Sequence, residues 1–264
     1  MSFRNVLEER CYRLLEEIGW EVADRAREVL LEEIAVDGLR EPVEYLCEKW
    51  RDVFAPAMVI LSCEAVGGEP DDATYDAALA LSLMNLSFSL WDDILDKTRY
   101  KLFVPTVFGK FGEGVNLVIG GLASAKAFSI LNNIRLDEEK RKLLSDLIWN
   151  YWRGTAQAEM RNLALRRKVD VRPEEKFRVI EMHSITTETL LRVGAVLGGG
   201  SRDEVDHLGN YGRCLGIILE LRKDFNVSIN LTLELADKIK RGSLPYTLLW
   251  AKNHSQKLRK YLLE

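Results

Sequence analysis

Residues 73–96 read ATYDAALALSLMNLSFSLWDDILD, and the fold turns on this stretch. From Ala77 to Trp91 it is apolar on every side, with only Ser82, Asn85, Ser87 and Ser89 as polar interruptions. That pattern predicts a helix enclosed by other helices rather than an amphipathic one lying on a surface. Its 15 residues fall short of the roughly 20 that a bilayer crossing needs, so the expectation is a buried helix and no membrane span. The stretch closes on Asp92-Asp93-Ile94-Leu95-Asp96.

Working outward, apolar residues recur at spacings of three and four, and the whole chain contains only six prolines. The fold class is therefore all-α. Val6, Cys11, Leu14, Leu15 and Ile18 predict one amphipathic helix. Ala23, Ala26, Val29, Leu30 and Ile34 predict a second that stops at Asp37-Gly38. Pro42 is expected to open a third that continues past Trp50. Gly67-Gly68-Glu69-Pro70 breaks the chain, and Asp71-Asp72 is placed to cap the helix that follows. Pro105 is expected to restart helix, and the small residues from Gly112 to Ala125 permit close helix approach. Arg166-Arg167-Lys168 reads as a solvated basic loop, and Pro173 and Gly198-Gly199-Gly200 mark off further helices. With no internal repeat and no linker, residues 1–264 are expected to form one domain.

The 264 residues are 47% hydrophobic and 30% charged, proportions of a soluble globular chain. Lys and Arg number 37 against 41 Asp and Glu, for a net charge of −4. No basic excess exists to bind a polyanion, so nucleic acid is excluded as an expected partner. Cys11, Cys47, Cys63 and Cys214 match no metal or redox spacing and predict reduced core thiols. Together with an N-terminus that lacks the pattern of a secretory signal, they predict a cytoplasmic protein.

Asp92 and Asp96 are four residues apart and share one helical face, with Asp93 one position round. Three like charges at the end of an apolar helix repel one another, and an oxygen-preferring cation such as magnesium would relieve that repulsion. On spacing alone, a solvated helix end accounts for the motif equally well.

From Cys63 to Phe128 the chain resembles the trans-isoprenyl diphosphate synthases and the class I terpene synthases that share their all-α fold. The resemblance rests on DDILD and on Pro105-Thr106-Val107, Phe111-Gly112 and Ala127-Phe128. Gly154 to Glu159, Gly194 to Gly199, Tyr211-Gly212 with Leu215-Gly216, and Gly242-Ser243-Leu244-Pro245 follow in the family's order, so about 210 residues are covered. The resemblance implies a bundle of about ten or more helices around a central cavity. It also implies magnesium, about three ions with the diphosphate bound. Asp92, Asp93 and Asp96 would be catalytic, Asp92 and Asp96 as metal ligands, and the allylic diphosphate would ionise to a carbocation. Lys101 would hold that diphosphate. Phe88 and Ser87, four and five positions before the motif, would floor the hydrocarbon pocket, favouring ten- to fifteen-carbon chains. A homodimer is implied as well.

The departures fall on the acceptor side and on the second motif. Where the family's GGKxxRP-like segment binds isopentenyl diphosphate, this chain has Asp52 for the lysine and Ala55 for the arginine, and Leu102 replaces a second arginine. An aspartate repels diphosphate, and Lys49 or Arg51 could compensate only from another face of the helix. The second aspartate-rich motif keeps Asp224 alone. Glu220, Asp224 and Ser228 still form an i, i+4, i+8 ladder for metal, whereas Asn226, Asn230 and Glu234 form another about 200° away. Gln157 and Arg178 are weaker substrate-binding candidates, and His183 stands near the family's Lys-Thr position, where a satisfied helical histidine is the simpler account.

The leading expectation is an enzyme that ionises an allylic diphosphate without condensing isopentenyl diphosphate, in the manner of a terpene synthase. The alternatives are a divergent trans-prenyl diphosphate synthase, a prenyltransferase to another acceptor, or a non-catalytic subunit of a heteromeric synthase.

Overall fold

The apolar stretch is helix α4, Asp72–Leu95, whose N-cap is Asp71, accepting from the Thr74 amide at 3.0 Å. In this computed structural model, residues 3–32, 34, 36–101, 103–166, 168, 170–229 and 233–258 are described. Twelve α-helices are found among them. Around α4 lie α1 (Phe3–Leu31), α3 (Phe54–Ala65), α6 (Glu113–Asn133) and α9 (Ile185–Leu197). Ala77, Ala78, Ala80, Leu81, Leu83 and Met84 are fully buried, as an all-round apolar helix requires. α7 (Glu138–Leu165), α8 (Pro173–His183) and α10 (Arg202–Ile229) close the other side against α9. α2 (Asp37–Lys49), α5 (Val107–Phe111), α11 (Leu233–Lys240) and α12 (Tyr246–His254) complete the bundle.

Several boundaries differ from the sequence expectation. The two helices expected over the first 36 residues are one continuous α1, because Gly19 and its neighbours keep helical geometry with Gly19 pressed against the Val53 carbonyl. Pro42 lies inside α2 instead of opening it, and the helix ends at Lys49, before Trp50. Pro105 belongs to a two-residue strand, β2 (Val104–Pro105), paired antiparallel with β1 (Tyr100–Lys101). The helix restarts at Val107, capped by the Thr106 hydroxyl, which accepts from the Gly109 amide at 2.9 Å. Only Cys47 and Cys63 are core thiols, since Cys11 and Cys214 are exposed. Both α4 and α6 have the length and composition to cross a membrane. α4 is mostly buried within the bundle, whereas α6 leaves Leu117, Val118 and Phe128 exposed.

Helix crossings depend on missing side chains at two places. A Cβ on Gly120 of α6 would lie 2.5 Å from the Trp91 indole nitrogen. A Cβ on Gly194 of α9 would lie 2.1 Å from the Val59 carbonyl oxygen of α3. The second obstacle is backbone and cannot rotate away. Gly194→Ala is therefore expected to cost about 1–3 kcal/mol, the usual penalty for overpacking, and chemical denaturation will show it as a lowered midpoint. An unchanged midpoint would mean that α3 and α9 do not cross this closely.

Candidate active site

α4 presents Asp96, Asp92, Phe88 and Asn85 toward α7, α8 and α10 at helical spacing, and Asp96, Asp92, Phe88 and Asn85 all line one cavity of about 300 Å³. α7 contributes Tyr151, Thr155, Glu159 and Asn162, the same i, i+4 stripe on a facing helix. α8 adds Lys176 and His183, α10 adds Glu220, Lys223 and Asp224, β1 adds Lys101, and α11 adds Lys238. The mouth is thus ringed by carboxylates and lysines.

Each acid of the first motif has a distinct environment. Asp96 is paired with the Arg166 guanidinium and lies 3.6 Å from Lys238 Nζ. Arg166 also donates to the Leu95 carbonyl at 2.8 Å, closing the end of α4. Burial opposes ionisation of Asp96, but Lys238 and Arg166 outweigh it and hold its carboxyl below the usual range. Arg166 is therefore turned inward, and the solvated-loop expectation is corrected for it; Arg167 lies outside the described residues. Asp93 is 4% exposed and points away from the cavity, with Lys101 Nζ 2.7 Å from its carboxylate. Burial pushes Asp93 up to about 6 despite Lys101. Asp92 lines the cavity.

On the facing helices, burial, reinforced by Asp92 and Asp96, raises Glu159 to about 7. His183 Nε2 lies 3.4 Å from Glu159 Oε1, and burial lowers the imidazole from its ordinary value. Lys176 donates to Asn162 Oδ1 at 2.9 Å, and its burial lowers its pKa. Burial also raises Asp224, which accepts from the Thr247 amide at 3.3 Å.

Besides Asp93, expected to be catalytic but absent from the cavity lining, four expected site residues lie elsewhere. Ser87, 100° round α4 from Phe88, is fully buried and donates to the Leu83 carbonyl at 3.0 Å, so it does not floor the cavity. Gln157 and Arg178 line a separate surface pocket with Glu181 and Arg213. Each is two positions, or about 200°, from a cavity-facing neighbour, Thr155 or Lys176. Ser228 bonds the Asp224 carbonyl at 2.9 Å and the Thr247 hydroxyl, which takes it out of the Glu220–Asp224 face. Asn226 is exposed, and Asn230 lies outside the described residues. Conversely, Glu159, Arg166, Lys176, Lys223 and Lys238 reach the site without having been singled out. The polar stripe Tyr151, Thr155, Glu159, Asn162, Arg166 was the available signal.

The donors suit magnesium by chemistry, since the acids offer only oxygen and Glu159 Oε2 is buried without a hydrogen-bond partner. No three His, Cys, Asp or Glu side chains among the described residues are gathered closely enough to hold an ion alone. Magnesium commonly takes one or two carboxylates and completes its shell with water and phosphate oxygens. The site therefore fits an ion arriving with a phosphorylated ligand.

An all-α bundle with an acid-ringed cavity at the end of its central helix is the class defined by this fold and site. Residues 36–230 match the polyprenyl synthetase family model, and the chain belongs to that family. It is 28% identical over 207 residues to the short chain isoprenyl diphosphate synthase of Methanothermobacter thermautotrophicus, covering 78% of this chain and 63% of that protein. The chain thus spans less than two thirds of that relative's length. Its fold matches geranylgeranyl pyrophosphate synthetase from Pyrococcus horikoshii with a TM-score of 0.82 at 23% identity, covering 96% of this chain and 80% of that one. A polyprenyl synthase from Caulobacter crescentus, complexed with calcium and isoprenyl diphosphate, matches with a TM-score of 0.79 at 16% identity over 95% of this chain and 77% of that one.

The opposed shifts in this site make a testable titration. Asp93 and Glu159 have folded pKa values above their unfolded ones, so their contribution to stability is full below about pH 4 and is lost as pH rises through about 6 and 7. Asp96 is depressed, so its contribution is present above its unfolded pKa and is lost as pH falls through the folded value. Carboxyl-carbon NMR of the metal-free protein should resolve Asp93 near 6, Glu159 near 7 and Asp96 below the normal range. Three coincident titrations near 4 would contradict this geometry.

Proposed function

We propose that the chain is a prenyltransferase allied to the prenyl diphosphate synthases, acting on an allylic diphosphate with magnesium. The observation that carries this reading is the ring of Asp92, Asp96, Glu159, Glu220 and Asp224 interleaved with Lys101, Lys176, Lys223 and Lys238 around one cavity. The synthase names of its relatives favour this alternative over the terpene synthase-like reaction placed first from sequence. Asp92, Asp96, Glu220 and Asp224 would hold the metal, which neutralises the departing diphosphate. Lys101, Lys176, Lys223 and Lys238 supply cations that favour the diphosphate at the mouth. Phe88 packs edge-on against Tyr151 at 5.2 Å and close to Trp152 at 4.7 Å, making an aromatic wall along the path of the hydrocarbon chain.

Asp92→Ala should reduce diphosphate release from farnesyl diphosphate by at least about a hundredfold while leaving the melting temperature near that of the parent. Phe88→Leu, which keeps the wall apolar, should shift preference from ten- and fifteen-carbon toward twenty-carbon substrates by about tenfold. Retained release in Asp92→Ala would defeat the reading, whereas an unshifted Phe88→Leu would remove only the length assignment.

Assembly as a homodimer is part of this proposal. It is supported by Phe128 and Trp149, exposed beside an apolar groove of about 860 Å³ between α6 and α7. Light scattering should give twice the chain mass, and the charged substitution Phe128→Glu should return it to the monomer.

A further inference from the structure

We propose that a small pocket beside the mouth is a metal-independent site for a diphosphate group, carried by inorganic diphosphate or by the end of a small organic molecule. The pocket lies where the end of α7, the start of α8, the turn after α11 and α12 meet, and it has a volume of about 120 Å³. Arg166, Lys168, Lys176, Lys252 and Ser243 line it, and no carboxylate among the described residues does. The neighbouring cavity of about 300 Å³ is the opposite case, with Asp92, Asp96, Glu159, Glu220 and Asp224 among its lysines. An anion entering that cavity needs a cation to mask the acids, whereas one entering the small pocket meets only positive charge.

The acids that pair with these cations stand outside the pocket. Arg166 is held by Asp96, Lys168 Nζ lies 2.6 Å from Glu175 Oε1, and Lys252 Nζ lies 2.9 Å from Asp170 Oδ1. Lys176 has no carboxylate partner among the described residues, and its hydrogen bond goes to the neutral Asn162 Oδ1 at 2.9 Å. Four cations against three paired acids leave one positive charge uncompensated at the pocket. Lys252 is the more telling residue, because its side chain is 3% exposed while that of Asp170 is 69% exposed. A buried ammonium is costly unless it is compensated, and here the compensation comes from the solvent edge. Buried Leu165, Val171 and Leu249 back the pocket, so a charged contact made there is less screened than one in water. Lysines serve phosphate groups as point charges, and Ser243 adds a hydroxyl donor.

Asn162 and Lys176 line both the pocket and the cavity, so the two share a wall. With less than half the cavity's volume, the pocket suits a head group and not a prenyl chain. The source of the anion, and that alone, rests on the functional reading: a reaction that ionises an allylic diphosphate at the mouth releases inorganic diphosphate beside this wall.

Inorganic diphosphate should be titrated calorimetrically into the full chain in the presence of EDTA, with one equivalent bound per chain as the expected result. Lys252→Met, which keeps an unbranched side chain at the buried position, should weaken binding about tenfold. Lys168→Met, at the exposed rim, should weaken it about threefold. Lys223→Met, which removes a cation from the neighbouring cavity only, should leave it unchanged. Isopentenyl diphosphate as competitor separates the two sources: displacement at lower concentration than the inorganic ion assigns the site to an organic diphosphate, and failure to displace assigns it to the free ion. No binding without magnesium overturns the inference. Binding that is lost in Lys223→Met and intact in the two pocket variants overturns it as well, by placing the anion in the cavity. Should Lys252→Met not fold, the exposed Lys168→Met still decides. Absence of diphosphate release from farnesyl diphosphate would overturn the functional reading and leave this site standing.

Discussion

The pairing of Asp96 with Arg166 and Lys238 is the constraint on which the rest of the site depends. α4 must be apolar along its length to be buried by its neighbours, yet it ends in three carboxylates whose mutual repulsion opposes that burial. Arg166, at the end of α7, answers both the Asp96 carboxylate and the terminal Leu95 carbonyl, so it ties α7 to the end of α4. Lys238 brings α11 to the same carboxylate. Removing one partner of such a buried pair generally costs more than the pair contributes, because a charge is left behind uncompensated. The geometry of the mouth is thus coupled to the packing of its helices.

The remaining acids are not neutralised to the same degree, and that difference has a chemical meaning. Asp93 is buried beside Lys101, while Glu159 is pushed up by burial and by the field of Asp92 and Asp96. A divalent ion entering with diphosphate oxygens would reverse that field, favouring ionised carboxylates where the free protein resists them. Under the proposed function the lysines would then face the diphosphate instead of only their own acids. Charge that is costly in the free protein would then become the basis of affinity for a metal-bound anion.

The same physics explains what could be read from residues alone. All-round hydrophobicity from Ala77 to Trp91 has one helical solution, and the DDILD spacing places Asp92 and Asp96 on one face, so the central helix and the core of the site were both legible. Boundaries were less so, because Pro42 is accommodated inside α2 and Pro105 sits in a ribbon. Gln157 and Ser87 were misplaced through angle: a shift of one or two positions on a helix turns a side chain 100° or 200° from the cavity. Arg166 was hidden for another reason. A basic run next to a loop looks solvated until tertiary packing brings an unpaired carboxylate to it.

Depth along α4 finally orders the chemistry. From the mouth inward, its cavity face presents Asp96, Asp92, Phe88 and Asn85: two carboxylates, then an aromatic ring, then an amide. α7 answers with Arg166, Glu159, Thr155 and Tyr151, so charge faces charge and neutral hydrogen-bonding groups face one another. Phe88 and Tyr151 meet edge to face at 5.2 Å between these zones. A cation formed at the mouth would therefore encounter π-faces before it reached any strong nucleophile of the protein, an arrangement that stabilises positive charge without capturing it. Asp52 extends the order one step further, since its carboxyl group bonds the Asn85 amide and accepts from the Ala55 amide at the start of α3, while burial still raises its pKa. The residue that departs most from the family's acceptor pattern is thus built into the fold of the cavity and cannot be treated as an isolated surface change.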